Sequence, residues 1–185
     1  MARIGRLCVY CASAGNVDEA YREAARDLGA RLAAAGIGLV FGGGHIGLMG
    51  VVADAAMAGG GRVTGVIPTR LRDRELAHGG LSELIVCNTM HDRKRIMAEN
   101  ADAFAVLPGG LGTLDETFEI VTWRLLGLHD KPIYLVNVAD YWQPLVALFD
   151  QIVAHRFAAP FVPRLIEVVP DVNALMDAIS AREPG

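Results

Sequence analysis

Short runs of consecutive apolar residues, separated by longer segments of helical periodicity, most constrain how this chain can fold. Runs such as IGLVF and DAFAVL lack the alternation of a strand with one face in water. They indicate strands that are buried on both faces of a parallel sheet. Between them, apolar residues recur at helical spacing, as at Tyr21, Ala24 and Leu28. Repeated strand–helix units with short connections predict an α/β fold with a doubly wound parallel sheet flanked by helices.

The pattern predicts seven strands and six longer helices. We expect one domain over residues 1–185, because no linker, repeat or low-complexity tract interrupts it. The predicted strands are 6–13, 37–44, 62–68, 81–88, 102–110, 132–138 and 165–169. The predicted helices are 17–35, 48–58, 91–99, 113–126, 141–154 and 171–180.

Charge and cysteine content limit the classes of partner. A net charge of -4 and a pI near 5.7 do not favour nucleic acid, whose binders usually present a basic face. No apolar run approaches the roughly 20 residues of a membrane span, and the first residues do not indicate a signal peptide. Three cysteines, an odd number, fit a reducing cytoplasm. Cys8 and Cys11 form a CxxC pair, but residues three apart on a strand point to opposite faces, which favours a structural role.

Several unusual segments follow predicted strands, on the edge where a doubly wound sheet binds ligands. They are CASAGN, FGGGHIGLMG, VIPTRLRDRE and VLPGGLGTLDE, with MHDRK after the fourth strand. In FGGGHIGLMG, Gly42, Gly44 and Gly47 have the spacing of a dinucleotide fingerprint. An NAD site has this pattern after its first strand and an acid after the next strand to hold the ribose diol of the cofactor. Here the segment follows the second strand and that acid is missing, so a phosphate or ribose contact with another ligand is favoured over NAD. Close helix–sheet packing is the alternative.

The MHDRK segment places Arg93 and Lys94 at the start of a helix, where the helix dipole disfavours cations. One interpretation is a solvated face. The other is that an external anion or a carboxylate from another segment compensates the charge, and Arg93 can grip a phosphate with two hydrogen bonds.

The PGGLGTLDE segment combines a glycine turn with two acids in the predicted first helical turn. Glycine amides at a helix start can hold a phosphate. Thr113 and Glu116 also have capping-box spacing, so one alternative is that Glu116 caps its own helix. The other is that the glycine turn holds the phosphate of a phosphorylated sugar while Glu116 reaches its anomeric carbon.

These segments together resemble the Lonely Guy family, the cytokinin-activating nucleoside 5'-monophosphate phosphoribohydrolases. The family signature PGGxGTxxE matches residues 108–116, and its MHxRK signature matches residues 90–94. Further matches are GGG-x-x-GLMG, the VIP segment ending at Glu75 and ETFEIVTW, so that the likeness spans about residues 8–163. Leu111 stands where the family often has an aromatic residue.

The resemblance implies a Rossmann-like homodimer that hydrolyses the N-glycosidic bond of N6-substituted adenosine 5'-monophosphates or AMP. The products are a free adenine-type base, which is a cytokinin for the substituted nucleotides, and ribose 5-phosphate. It implies Arg93 and Glu116 as the catalytic pair, and neither a metal nor a cofactor is expected. The implied substrate contacts are Glu75, Arg93, Lys94, Gly109, Gly110, Leu111, Gly112, Thr113, Leu114, Asp115, Glu116 and Thr122, with Ser13, Gly43, Gly44 and Met90 as additional candidates.

The chemistry of these residues fits hydrolysis, because a carboxylate can stabilise positive charge on ribose and align or deprotonate water. Glu116 is assigned that role, Glu75 a ribose contact and Arg93 the phosphate. Pyridoxal phosphate chemistry is disfavoured, since only Lys94 and Lys131 could form the Schiff base. The main alternative function is a protein that binds AMP-like nucleotides without turnover.

Overall fold

The computed structural model describes residues 3–73 and 77–182 and contains one seven-stranded sheet, parallel throughout. The strand order is β4-β3-β2-β1-β5-β6-β7, so the chain leaves β1 toward one edge and returns to its other side at β5. The strands are β1 (Arg6–Tyr10), β2 (Gly38–Phe41), β3 (Val63–Pro68), β4 (Glu83–Cys87), β5 (Ala103–Val106), β6 (Ile133–Val136) and β7 (Glu167–Val169). The predicted doubly wound α/β fold is confirmed.

Helices cover both faces of the sheet. They are α1 (Glu19–Ala34), α2 (Gly47–Ala58), α3 (Thr69–Arg72), α4 (Met90–Glu99), α5 (Leu111–Leu125), α6 (Gln143–Ala154) and α7 (Val172–Ser180). Side chains of α1, α2 and α7 share one buried cluster, and those of α4, α5 and α6 share the other. Burial on both faces explains why the strands are continuous apolar runs.

The two cysteines of the CxxC pair diverge as predicted. Cys8 packs in the cluster beneath α4, α5 and α6, whereas Cys11 packs in the cluster on the opposite face. Both thiols are free and buried, and burial raises their pKa far above the usual value. They are therefore structural side chains rather than reactive thiols. Across the described residues, no helix combines the length and apolarity that crossing a bilayer requires.

The start of α5 differs from the prediction. The helix begins at Leu111 with Gly110 as its N-cap, and no side chain caps it. Thr113 is therefore the third helical residue and not the N-cap, so the alternative in which Glu116 forms a capping box with it is wrong. The two acids at 115 and 116 lie beyond the first turn, which contains no acidic residue. This shift leaves the amide-rich end of the helix free of negative side chains.

Candidate active site

A cavity of about 330 Å³ lies at the carboxyl edge of the sheet, beside the point where the strand order reverses between β1 and β5. This is where open α/β sheets bind ligands, and the volume suits a small molecule. Segments that follow β1, β2, β3 and β5 form its wall, together with one side chain from the end of β3 and one from α4. The lining residues are Cys11, Ala12, Ser13, Ala14, Gly42, Gly44, Ile46, Met49, Ile67, Leu71, Arg93, Gly110, Leu111, Gly112, Thr113 and Glu116.

A buried ion pair forms the polar centre of this cavity. Arg93 Nη1 of α4 lies 3.3 Å from Glu116 Oε1 of α5, and the two side chains are only 10% and 9% exposed. A buried charge is costly unless it is paired, so each residue stabilises the ionised form of the other. The charge of Arg93 in the MHDRK segment is therefore compensated by the carboxylate of Glu116, which belongs to another segment. This is one of the interpretations that the sequence left open, and Arg93 does not lie on a solvated face.

Arg93 also connects this pair to β3 and to the loop after β2. Its Nε donates to the Val66 carbonyl and its Nη2 donates to the Gly42 carbonyl, each at 3.1 Å. Arg93 thus uses two of the three nitrogens of its planar guanidinium group on backbone acceptors, and the third, Nη1, faces Glu116. The guanidinium group is immobilised by β3 and by the loop after β2, and it fixes the direction of the carboxylate.

Gly42 is required by this arrangement. A Cβ atom added at Gly42 would overlap Arg93 Nη2 and lie 2.9 Å from its Cζ. The glycine segment after β2 was predicted to contact phosphate, with close packing as the alternative. At the start of α2, the N–H groups of Leu48 and Met49 donate to the Ala12 carbonyl at 2.9 and 3.4 Å. Those two amides have a protein acceptor and are not free for a phosphate. A phosphate or ribose contact by the glycines themselves stays a prediction.

Burial raises the pKa of Glu116 from 4.5 to about 7, although the charges of Arg93 and Lys94 act in the opposite direction. The desolvation of the carboxylate is the larger effect. A carboxyl group that titrates near neutral pH can accept and release a proton at little cost. A strongly shifted pKa inside a cavity is also typical of a functional group.

The start of α5 offers an anion site a few residues before Glu116. Leu114 N–H donates back to the Gly110 carbonyl at 3.0 Å, so the amides that precede it lie at the open, positive end of the helix. Gly110, Leu111, Gly112 and Thr113 all line the cavity. Main-chain N–H groups at an uncapped helix end bind phosphate oxygens.

Thr113 fixes the glycine turn that leads into this helix. Its side chain is 3% exposed and lies against Gly109, where an added Cβ would come within 2.6 Å of the Thr113 Cβ. Its carbonyl accepts a hydrogen bond from Thr117 Oγ1 at 2.7 Å. The threonine therefore packs on the turn instead of capping the helix.

Lys94 and Asp115 pair with each other outside the cavity lining. Lys94 Nζ lies 3.0 Å from Asp115 Oδ2 and 3.2 Å from Glu119 Oε2. Burial opposes its charge, but hydrogen bonds to the two carboxylates raise the pKa of Lys94 overall. This pairing ties α4 to α5 one helical position away from the Arg93–Glu116 pair. A substrate contact by Lys94 or Asp115 stays a prediction.

The other predicted site residues divide into two groups. Ser13, Gly44, Gly110, Leu111, Gly112 and Thr113 line the cavity with Arg93 and Glu116. Gly43, Met90, Gly109, Leu114 and Thr122 lie outside the lining; Leu114 is partly buried and packs against the core, and Thr122 is exposed on α5. Glu75 lies outside the described residues. The substrate contacts of all these residues stay predictions.

Sequence reasoning missed the apolar wall of the cavity. It is provided by Ile46 and Met49 from the segment after β2, by Ile67 near the end of β3 and by Leu71 of α3. The segments FGGGHIGLMG and VIPTRLRDRE were singled out from the sequence, but an apolar side chain in them has no local signal that distinguishes a cavity wall from a core position. Among residues 3–73 and 77–182, no group of three or more His, Cys, Asp and Glu side chains is arranged to hold a metal ion.

Comparison with known proteins gives both a family and a fold. A family model described as "Possible lysine decarboxylase" matches residues 49–179. The probable cytokinin riboside 5'-monophosphate phosphoribohydrolase LOGL3 of Oryza sativa subsp. japonica is 44% identical over 99% of this chain and 87% of its own length. The cytokinin riboside 5'-monophosphate phosphoribohydrolase LOG7 of Arabidopsis thaliana is 42% identical over 99% of this chain and 84% of its own.

A solved structure shares the fold at much lower identity. The molybdenum cofactor binding protein of Rippkaea orientalis superposes with a TM-score of 0.72 over 98% of both chains, at 18% identity. At this identity the likeness establishes the fold alone, because one fold supports unrelated functions.

Proposed function

The chain belongs to the Lonely Guy family of cytokinin riboside 5'-monophosphate phosphoribohydrolases, and we propose that it hydrolyses the N-glycosidic bond of adenosine 5'-monophosphates, with or without an N6 substituent. The products are the free adenine-type base and ribose 5-phosphate. The observation that carries this proposal is the buried Arg93–Glu116 pair, 3.3 Å apart, in the same cavity as an uncapped helix N-terminus.

The two ends of the proposed substrate match different parts of the cavity. The phosphate binds the amides at the start of α5, around Gly110 and Gly112, where the helix dipole favours an anion. The base lies against the apolar wall that includes Met49 and Ile67. The ribose then spans the space between them, and its anomeric carbon faces Glu116.

Glu116 acts on the bond between ribose and base. Cleavage develops positive charge on the ribose, and an ionised carboxylate stabilises it. The oxygen of a water molecule bonds to the anomeric carbon, and Glu116 accepts a proton from that water. The carbon–nitrogen bond breaks with its electron pair leaving on the base. The base takes up a proton, and Glu116 releases the one that it accepted from water, so that the neutral base leaves and the carboxylate is regenerated. Arg93, which was assigned the phosphate from the sequence, is proposed instead to orient Glu116 and to favour its ionised form against desolvation, since its other hydrogen bonds go to backbone carbonyls.

Two other activities are less well supported by the geometry. A non-catalytic nucleotide carrier gains nothing from a buried carboxylate beside the phosphate site, because the acid repels the ligand. Lysine decarboxylation with pyridoxal phosphate needs a lysine amine for the Schiff base. Lys94 is held as an ammonium by Asp115 and Glu119, and Lys131 donates to the Ala98 carbonyl at 2.8 Å.

A base-release assay tests the proposed function. The protein is incubated with AMP and with isopentenyladenosine monophosphate, and free base and ribose 5-phosphate are measured by chromatography. Stoichiometric release of both products from at least one nucleotide is expected. Tight binding of both nucleotides without release of base would instead support the carrier.

The pH dependence of kcat/KM should reflect the raised pKa of Glu116. If the carboxylate is the active form, kcat/KM rises about tenfold per pH unit below 7 and levels off above it, since the pKa is about 7. The substrate phosphate itself titrates near pH 6. The pH profile of the residual activity of Glu116→Gln serves as the control. This profile should keep the titration of the substrate phosphate near pH 6 and lose the titration of Glu116 near pH 7. An unchanged profile in this variant would assign the titration to another group.

We also propose a homodimer in the cytoplasm. The three unpaired, buried cysteines support the location. Phe118 and Leu125 support the dimer, because they lie on one outward face of α5 and are 37% and 43% exposed. Light scattering on wild-type protein is expected to give twice the chain mass of 19.7 kDa.

Replacement of Leu125 by Glu should shift this mass toward the monomer, since burying a charge in an apolar interface is costly. Ala30→Glu, on the exposed face of α1, is the matched control and should leave the mass unchanged. A monomeric wild-type protein would exclude the dimer.

A further inference from the structure

We propose that Tyr141 is a positioning residue that orients the peptide between Gly109 and Gly110 for phosphate binding. This inference rests on the proposed function, because it assigns a part in holding the substrate's phosphate. Tyr141 lies between β6 and α6, more than thirty residues beyond the glycine turn, and it does not line the cavity.

The proposal starts from one hydrogen bond. Tyr141 Oη donates to the Gly109 carbonyl at 2.8 Å. In a trans peptide the carbonyl and the following N–H point to opposite sides of the chain, and the described residues contain no cis peptide. A hydroxyl that holds the Gly109 carbonyl therefore directs the Gly110 N–H away from Tyr141. Gly110 lines the cavity and is the N-cap of α5, so its N–H belongs to the predicted phosphate site.

The two glycines explain why the orientation of this peptide has to be fixed by other residues. Gly109 and Gly110 have no side chains to restrict rotation of the peptide plane, and such residues sample more backbone conformations than any other. The Thr113 side chain packs against Gly109 from one side. The Tyr141 hydroxyl fixes the carbonyl, and together the two contacts hold an otherwise adaptable turn in one conformation. Preorganised N–H groups bind an anion without paying an ordering cost at the moment of binding.

The turn before Tyr141 is strained. Ala139 and Asp140 have φ angles of 50° and 57°, a left-handed backbone conformation that residues other than glycine rarely adopt. Asn137 Oδ1 accepts the Trp142 N–H at 2.7 Å and stabilises the turn. Two successive residues in an unfavourable conformation, directly before the tyrosine, indicate that its position has been fixed at a conformational cost.

The ring of Tyr141 is held independently of its hydroxyl. It makes edge contacts with Tyr21 at 5.4 Å and with Trp142 at 4.8 Å between ring centroids. Tyr141→Phe therefore removes the hydrogen bond and keeps the ring contacts. Tyr21→Phe is the matched control, because it removes the hydroxyl of the tyrosine whose ring contacts Tyr141 and leaves the Tyr141 hydroxyl in place.

Calorimetry with ribose 5-phosphate and with adenine tests the assignment. In Tyr141→Phe, the Kd of ribose 5-phosphate should rise about three- to tenfold, the usual value of one hydrogen bond. Adenine affinity should stay within about twofold, and Tyr21→Phe should leave both unchanged. With AMP as substrate, KM should rise by a similar factor while kcat changes less than about twofold. A purely structural role would lower the melting temperature and weaken both ligands together.

Three results would overturn the assignment: unchanged ribose 5-phosphate affinity in Tyr141→Phe, an equal loss of adenine affinity, or no binding of ribose 5-phosphate by the wild-type protein. These experiments distinguish failure of the Tyr141 assignment from failure of the proposed hydrolysis. Selective loss of ribose 5-phosphate affinity in a protein that releases no base would refute hydrolysis and support the role of Tyr141. Base release by the wild-type protein, together with unchanged ribose 5-phosphate affinity in Tyr141→Phe, would refute only the role of Tyr141.

Discussion

Replacement of Glu116 by Gln should lower kcat for base release by about a hundred- to ten-thousandfold while nucleotide affinity stays within about threefold. The amide keeps the shape of the side chain in the cavity. It carries no negative charge to stabilise the developing ribose cation, and it cannot accept a proton from water. Single-turnover base release gives the chemical step, and calorimetry with AMP gives the affinity.

Glu119→Gln is the matched control for this experiment. Glu119 lies on the same helix, but its carboxylate pairs with Lys94 at 3.2 Å outside the cavity lining. We expect its kcat to stay within about threefold of wild type. A Glu116→Gln variant that keeps more than a tenth of wild-type kcat would refute the assignment of the catalytic carboxylate.

The same substitution should also change how stability depends on pH. The pKa of Glu116 is about 7 in the folded protein against a usual 4.5, so the folded state binds more protons between these values. Stability then declines as pH rises through this window, by at most about 1.4 kcal/mol per unit. Glu116→Gln lacks this decline. Urea unfolding of both proteins at pH 5 and pH 8 measures the difference.

Replacement of Gly42 by Ala should lower kcat/KM about ten- to a hundredfold, through Arg93 rather than through a direct substrate contact. The new methyl group would overlap Arg93 Nη2, so the guanidinium group must move. Movement breaks or lengthens its 3.1 Å hydrogen bonds to the Gly42 and Val66 carbonyls and turns Nη1 away from Glu116. The expected loss of unfolding free energy is about 1–3 kcal/mol, because buried polar groups lose partners.

Steady-state kinetics and chemical denaturation measure the two effects. Gly79→Ala is the control, since a Cβ added there has no atom within 4 Å. It should be close to wild type in both measurements. Wild-type kcat/KM in Gly42→Ala would show that the guanidinium group can relocate without disturbing Glu116.

The sheet could be predicted because its signals are local. A strand buried on both faces must be apolar along its whole length, so each strand is visible within a few residues. All seven predicted strands are present, and the carboxyl edge of the sheet contains the cavity, as the order of the segments indicated. Arg93 and Glu116 could also be singled out from the sequence, because they stand in unusual local surroundings of charge and glycine. Their assignment as the catalytic pair came from the family resemblance and stays a proposal.

The start of α5 shows where local signals fail. Thr113 and Glu116 have the spacing of a capping box, yet the helix begins two residues earlier. Glu116 has a better partner in Arg93, a charged donor from another helix, and Thr113 packs against Gly109. A tertiary ion pair outweighs a local capping bond, and no reading of nine adjacent residues can detect it.

The sequence by itself determined the order of strands and helices along the chain, the edge of the sheet that contains the cavity and the residue types available there. The tertiary structure alone decided which carboxylate faces Arg93, which one neutralises Lys94, why Gly42 has no side chain and which hydroxyl reaches Gly109. The physical reason is distance along the chain. Apolar periodicity and turn chemistry act between near neighbours, whereas the desolvation and pairing that set the properties of Glu116 arise only when distant segments pack together.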